Sequence, residues 1–367
     1  MKMKKIISML LMGSMAFSML ALVGCGEKRT VDIGIVLPTK DEPRWVQDEA
    51  RFKEALEGTD YSVDILFSQG TSAKEKENVD ALIAKGIKVL IICPQDGAAA
   101  TGAVEAAKKE GIKVISYDRL ITDTDAVDFY VTFDSIAVGS AQGQYLVDKA
   151  SGKDNPLYLY AGAVSDNNAF LFFEGAWKVL QPKIADGTFV IKNSSEALAL
   201  KDKAELTRDE MSKVIGQVTT NWDFNEAKNK SEAHLTAAAD ADKGDVFILA
   251  PNDGTARAIA DAFKADSKVT TYQITGQDAE KASVQYIIDG KQSMTVFKDV
   301  RTLVKDSIGM AVDLLTEKEP ATTGSYNNGK IDVKAKQTEV IVINGENVKP
   351  ALVDTGYYPA KDFTNLK

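Results

Sequence analysis

Histidine and cysteine are nearly missing from this 367-residue chain, which has one of the first and two of the second. A single histidine, His234, excludes a histidine-rich metal set. Two cysteines, Cys25 and Cys93, cannot build a zinc framework or a disulfide-stapled scaffold. No apolar run of membrane length follows the first two dozen residues, and a spanning helix needs about 20 such residues. The body is therefore expected to be soluble. No long block of like charge occurs, and the formal net charge of −9 is spread along the chain. Nucleic-acid binders show basic patches, so that class is disfavoured. Neither a G-x-S-x-G nucleophile elbow nor a phosphate-cradling P-loop is present.

What is present begins with a leader. "MKMKK" supplies a positive start and "IISMLLMGSMAFSMLALVG" an apolar stretch, the pattern of a secretory signal. It ends in "LVGC", Leu22 to Cys25, with small Gly24 before the cysteine. This resembles a bacterial lipobox, which implies that residues 1–24 are removed, that Cys25 carries lipid, and that 25–30 is an anchored linker. The competing reading is a transmembrane anchor, since the run nearly spans a bilayer. With Cys25 lipidated, Cys93 has no partner and, inside apolar "VLIICPQD", reads as a small buried hydrophobe.

A chain of this length exceeds one ordinary domain of roughly 100–200 residues. From residue 30, short apolar runs alternate with amphipathic stretches. "VDIGIVLP", "YSVDILFSQ", "IKVLIICPQ", "IKVISYDRL" and "DFYVTFDS" read as strands, and three of the intervening segments read as helices. The pattern then restarts with "NPLYLYAGA", "KVIGQVT", "DVFILAPND" and "TTYQITGQD" as strands. Two βα sets in tandem predict an α/β protein of two similar lobes, each a parallel sheet flanked by helices. One more helix, "TLVKDSIGMAVDLLTEK", and the strands "EVIVING" and "KPALVDTGYY" close the chain, so it crosses back between lobes. The charged segment 194–216 reads as a helical, solvated surface elaboration.

Open parallel sheets bind ligands outside the carboxyl ends of their strands. The residues there are Lys40, Arg44 and Trp45; Asp118 and Arg119; Asp166, Asn167 and Asn168; Trp222; Asn252 and Asp253; Gln277 and Asp278; and Lys298. Asp and Asn also serve turns and helix caps, and Asn252-Asp253-Gly254 looks like such a cap. Seven tips carrying amides, mixed charges and two tryptophans suit a pyranose. Its hydroxyls donate to carboxylates and accept from Arg, Lys and Asn, in bonds stronger than neutral ones. Its C–H face suits a flat indole. Mixed charge also suits an uncharged ligand.

The stretches "PTKDEPRW", "ISYDRLI", "DFYVTFDS", "SDNNAFLFFEGA", "NWDFNEA", "APNDGTARAI", "TGQDAEKASVQ" and "MTVFKD", in this order over about residues 30–360, resemble the periplasmic sugar-binding proteins of ABC transporters. The xylose-binding and multiple-monosaccharide-binding group is the most similar. The resemblance implies two Rossmann-like lobes, 31–135 with about 299–340 and 136–298 with about 341–367, joined by a three-segment hinge of the type I kind. It implies that Arg44, Trp45, Asp118, Arg119, Asp166, Asn168, Asn252, Asp278 and Lys298 contact a sugar, that Trp222 stacks on its ring, and that Asn167 turns the chain. It implies a monomer that delivers a monosaccharide to a membrane permease, outside the cytoplasmic membrane. Xylose, glucose, galactose and arabinose are the candidates. No twelve-residue calcium loop occurs, so neither metal nor cofactor is expected.

Three rivals remain. A glycosidase could use Asp118 and Asp166 as paired carboxylates, although His234 on a helix suggests packing rather than catalysis. A repressor would need a helix-turn-helix where the leader stands. A sensor that docks on a membrane receptor differs in partner and not in chemistry.

Overall fold

The computed structural model describes residues 31–366; the expected leader, Cys25 and the linker up to residue 30 lie outside them. The first apolar run forms β1 (Ile33–Leu37), and all five of its residues are buried, as a parallel strand covered on both faces requires. It leads into α1 (Pro43–Leu56), where Pro43 stands in the first turn and costs no helical hydrogen bond. Then follow β2 (Val63–Phe67), α2 (Ser72–Ala84), β3 (Val89–Ile92), α3 (Thr101–Lys109), β4 (Lys113–Tyr117) and β5 (Phe129–Phe133).

The second set runs α4 (Ser135–Lys149), β6 (Asn155–Leu159), α5 (Asn167–Ala185), β7 (Phe189–Ile191), α6 (Ser195–Ala199), α7 (Arg208–Val218), α8 (Phe224–Ala237), β8 (Gly244–Leu249), α9 (Asp253–Ala265), β9 (Val269–Ile274), α10 (Lys281–Ile288) and β10 (Met294–Phe297). The chain ends with α11 (Val300–Leu315), β11 (Gly324–Asn327), β12 (Asp332–Thr338) and β13 (Ile341–Asn344).

The first sheet has the order β11-β12-β5-β4-β3-β1-β2, all parallel except the β11 edge. The second has the order β7-β6-β8-β9, all parallel. In both, the second strand of the set pairs with the first, which pairs with the third, so the two lobes repeat one doubly wound plan. The strands β10 and β13 pair antiparallel as a separate ribbon. Helix α11 returns to the first sheet: Leu303, Val304 and Ile308 join Ile33, Ile35, Trp45 and Phe52 in one core. The chain thus passes between the sheets around Asp134, around Asp299 and between Thr338 and Ile341. Asp134 caps α4 through Ala137 N at 2.9 Å, and its own N–H reaches Thr338 O at 3.0 Å. Asp299 caps α11 through Arg301 N at 3.0 Å.

Helices α4 and α5 touch backbone to backbone, because a Cβ on Gly139 would overlap the Phe172 carbonyl. Among the described residues no helix is long and apolar enough to cross a membrane.

Three expectations change. The run "KVIGQVT" is not a strand but the second half of α7. Met211, Val214, Ile215 and Val218 bury one face of that helix, and Thr207 with Glu210 forms a capping box at its start. Short β-branched stretches cannot be told from buried helix by pattern alone. The segment 194–216 is accordingly not a solvated elaboration throughout, since Ala197 also enters the core of the second sheet. Finally, "KPALV" is one helical turn, Lys349–Val353, rather than a strand.

Candidate functional site

The carboxyl ends of both sheets face each other across a cavity of about 300 Å³. Arg44, Trp45, Asp118, Arg119, Asp166, Asn168, Trp222, Asn252, Asp278 and Lys298 all line it, together with Glu42, Phe172 and Gln277. Lys40 stays outside, exposed and paired with Glu49 at 3.1 Å. Asn167 also stays out and accepts from Arg208 at 2.8 Å.

Arg44 is the hub. It sits in the first turn of α1 with its side chain only 3% exposed. Nε and Nη2 donate to the two oxygens of Asp48 at 2.7 and 3.2 Å, one helical turn on. Nη2 also reaches Asp118 at 3.0 Å, and Nη1 reaches Asp278 at 3.2 Å. Behind it, the Tyr117 hydroxyl donates to Asp48 at 2.5 Å. Burial opposes the Arg44 charge, but the carboxylates of Asp48, Asp118 and Asp278 outweigh it and raise the guanidinium above its usual range. Burial would likewise raise Asp118, yet Lys298, Arg44 and Arg119 prevail and hold it below the ordinary carboxylate range.

Arg119 donates to Asp166 at 3.0 Å and stands 3.8 Å from Glu42. Lys298 pairs with Asp278 at 2.8 Å and with Asp118 at 3.9 Å. Three cations therefore face Asp118, Asp166 and Asp278 around the cavity. Glu42 is pushed up to about 7 by burial, with Arg119 opposing, so it is only partly ionised at neutral pH.

The backbone is bent to present these groups. Asp118, Trp222 and Asp278 have φ of 61°, 62° and 96°, a region that costs a non-glycine residue about 1–3 kcal/mol each. The strain at Asp118 is held by Tyr130, Thr132 and Asn168, which donate to its carbonyl at 2.8, 3.1 and 2.9 Å. Asn168 thus spends its amide on positioning. Asn252 accepts from Thr255 N and Oγ1 at 3.3 and 2.6 Å, the expected cap, which leaves its Nδ2 for the cavity.

The aromatic groups divide the work. The guanidiniums of Arg44 and Arg119 lie 5.0 and 5.1 Å from the Trp45 ring, so Trp45 holds cations as well as lining the cavity. Trp222 rests on Gly162, where any Cβ would overlap its indole, and meets Phe172 edge-on at 6.3 Å. The orphaned atoms are informative. Trp222 Nε1 and Gln277 Oε1 are buried without partners, and Trp45 Nε1 points toward Glu42 without closing a well-formed bond. A buried donor or acceptor left unpaired costs free energy until a ligand or water fills it.

Sequence reasoning missed Glu42, Asp48, Tyr117 and Phe172. Asp48 was accessible in principle, because an acid four residues after Arg44 on a helix shares its face. Phe172 follows Asn168 by the same spacing. His234, half-buried on α8, packs on Tyr160 with ring centroids 5.4 Å apart, and burial pushes it down to about 4. Among the described residues no cluster of His, Cys, Asp and Glu could hold a metal ion.

Two doubly wound lobes with a polar, aromatic cavity between their strand ends define a protein that captures a small ligand by closing on it. The chain belongs to the periplasmic binding protein family, whose domain model matches residues 33–319. It is 33% identical to the multiple sugar-binding periplasmic receptor ChvE of Rhizobium radiobacter, over 98% of this chain and 99% of that one. It is 31% identical to the D-xylose-binding periplasmic protein of Escherichia coli, over 90% and 92%. It is 74% identical to a carbohydrate transporter solute-binding protein from Chloroflexus aurantiacus, solved in complex with D-glucose. That alignment covers 92% of this chain and 99% of the other, at a TM-score of 0.91.

Proposed function

We propose that this protein captures one monosaccharide in the cavity between its lobes and delivers it to an ABC-type membrane permease. The observation that carries the reading is the contrast inside the cavity. Its charged groups are paired with one another, while two indole N–H groups and an amide oxygen are left open beside a flat aromatic face. A charged ligand would disrupt that balance; a neutral polyol completes it. The lobes that close are 31–135 with about 299–340, and 136–298 with about 341–367, hinged at the three crossings. Arg44, Asp118, Asp166, Asp278 and Lys298 bond to hydroxyls, and Trp222 stacks on the ring. D-glucose is the first candidate, from the ligand of the Chloroflexus aurantiacus relative; xylose, galactose and arabinose follow.

Binding rather than catalysis is supported by the carboxylates. Asp118, held ionised by Lys298 and Arg44, cannot serve as the proton-bearing acid of a glycosidase, and Asp166, though raised by burial, has its two oxygens engaged by Arg119 at 3.0 Å and the Asn168 N–H at 2.9 Å. The protein acts as a monomer outside the cytoplasmic membrane, with the lipobox-like "LVGC" supplying a lipid anchor at Cys25. The test is thermal melting against a panel of free pentoses and hexoses, with an assay for product release from glycosides. At least one free sugar should raise the melting temperature, with no product formed. Unchanged melting across the panel, or turnover, would overturn the reading.

A further inference from the structure

Beside the inner cavity lies a larger chamber of roughly 1330 Å³ that opens to solvent. Glu42, Trp222 and Asn252 line both spaces and so form the partition between them. The loops after β1, β2 and β3 wall the chamber on one side, and the 221–225 turn and the start of α9 wall it on the other.

The lining has a definite chemistry. Phe224, 43% exposed, gives an apolar face two residues from Trp222. Gln95 has its backbone N–H fixed by Glu75 at 2.7 Å, yet its side-chain oxygen is buried without a partner. Such an acceptor calls for a donor brought by a ligand or water. Arg257 is held by Glu280 at 2.7 Å and by Ser283 at 2.6 Å, so its remaining donors stand in a fixed orientation. Asp41 and Asp223 at the same chamber disfavour an anionic substituent. An apolar face, an open acceptor and fixed donors, in a space continuous with the inner cavity, repeat the recipe of the inner site on a larger scale.

We propose that the outer chamber receives a second sugar unit, joined glycosidically to the ring in the inner cavity, so that the protein binds disaccharides as well as monosaccharides. This rests on the reading of the inner cavity as a monosaccharide site. The inner space, about 300 Å³ against roughly 1330 Å³ for the outer chamber, is closed in by Trp45, Phe172 and Trp222 and leaves no room for a second ring. A linked unit must therefore pass the partition.

The experiment is calorimetric titration of the full chain with D-glucose, cellobiose and maltose, alone and in competition, repeated on Phe224→Ala and Gln95→Leu. At least one disaccharide should bind once per chain and compete with D-glucose. Phe224→Ala should weaken that disaccharide about fivefold, the worth of one aromatic contact, and Gln95→Leu should weaken it too, while D-glucose affinity holds. If D-glucose binds but neither disaccharide competes with it, this inference fails and the inner-site reading stands. If the variants weaken both sugars equally, or weaken neither, the outer chamber makes no contact particular to a second unit and the inference fails. If neither D-glucose nor any other monosaccharide of the panel binds, both readings fall.

Discussion

Both walls of the cavity hold pairs of their own and reach across the cleft, but the first backs its pair with a buried chain, Arg44 to Asp48 to Tyr117, where the second has the direct contact of Lys298 with Asp278. Arg44, Asp48 and Tyr117 are linked behind the cavity on α1 and β4. Across the cleft, Asp278 pairs with Arg44 and Asp166 with Arg119, while Lys298 stands 2.8 Å from Asp278 on its own wall and 3.9 Å from Asp118 on the other. The first wall is thus braced more deeply from behind than the second. Preorganised groups lose little freedom when a ligand arrives, so the first wall should contribute more to affinity.

Breaking the more deeply braced wall should have the largest effect. Arg44→Met strands buried Asp48 with Tyr117 as its remaining partner and frees Asp118 and Asp278 from one cation. The expected cost is about 3–5 kcal/mol of stability, read by denaturant unfolding, with sugar binding lost. On the second wall, Trp222→Ala should cost about 1–3 kcal/mol of binding with little change in stability. Gly162→Ala should act in the same direction, because the added methyl displaces the indole.

A smaller effect distinguishes the walls by pH. Glu42 is raised from 4.5 to about 7 in the folded chain. The native state therefore holds a proton that the unfolded state gives up, and stability is full below pH 4.5 and falls as pH rises toward 7. Glu75, also raised to about 7 by burial, adds the same sign. The informative quantity is the difference: Glu42→Gln should flatten the decline between pH 4.5 and 7 relative to wild type, and an unchanged slope would place Glu42 in water. The smallest effect is Lys40→Ala, a neighbour of Arg44 in sequence but exposed, which should change sugar affinity by under about 0.5 kcal/mol.

The alternation of apolar and amphipathic segments was legible because parallel strands are buried on both faces and their helices on one. It misled where a short β-branched run lay on a buried helix face, as at Val214–Val218, and where strands were short or partly exposed, as in β7 and β11. The cavity residues were legible as strand tips. Their division of labour was not, because it depends on geometry across the cleft: Asn168 turns out to brace Asp118, and Trp45 carries two guanidiniums. Gly162 gives no signal in sequence, since its role is to be absent under Trp222.

The central claim is that one sugar binds between the two walls. Calorimetric titration of D-glucose into wild type and into Trp222→Ala/Asp278→Ala tests it directly. Saturable binding of one sugar per chain in wild type, lost in the double variant while its melting remains cooperative, is the predicted result; equal affinity in the two proteins would contradict it.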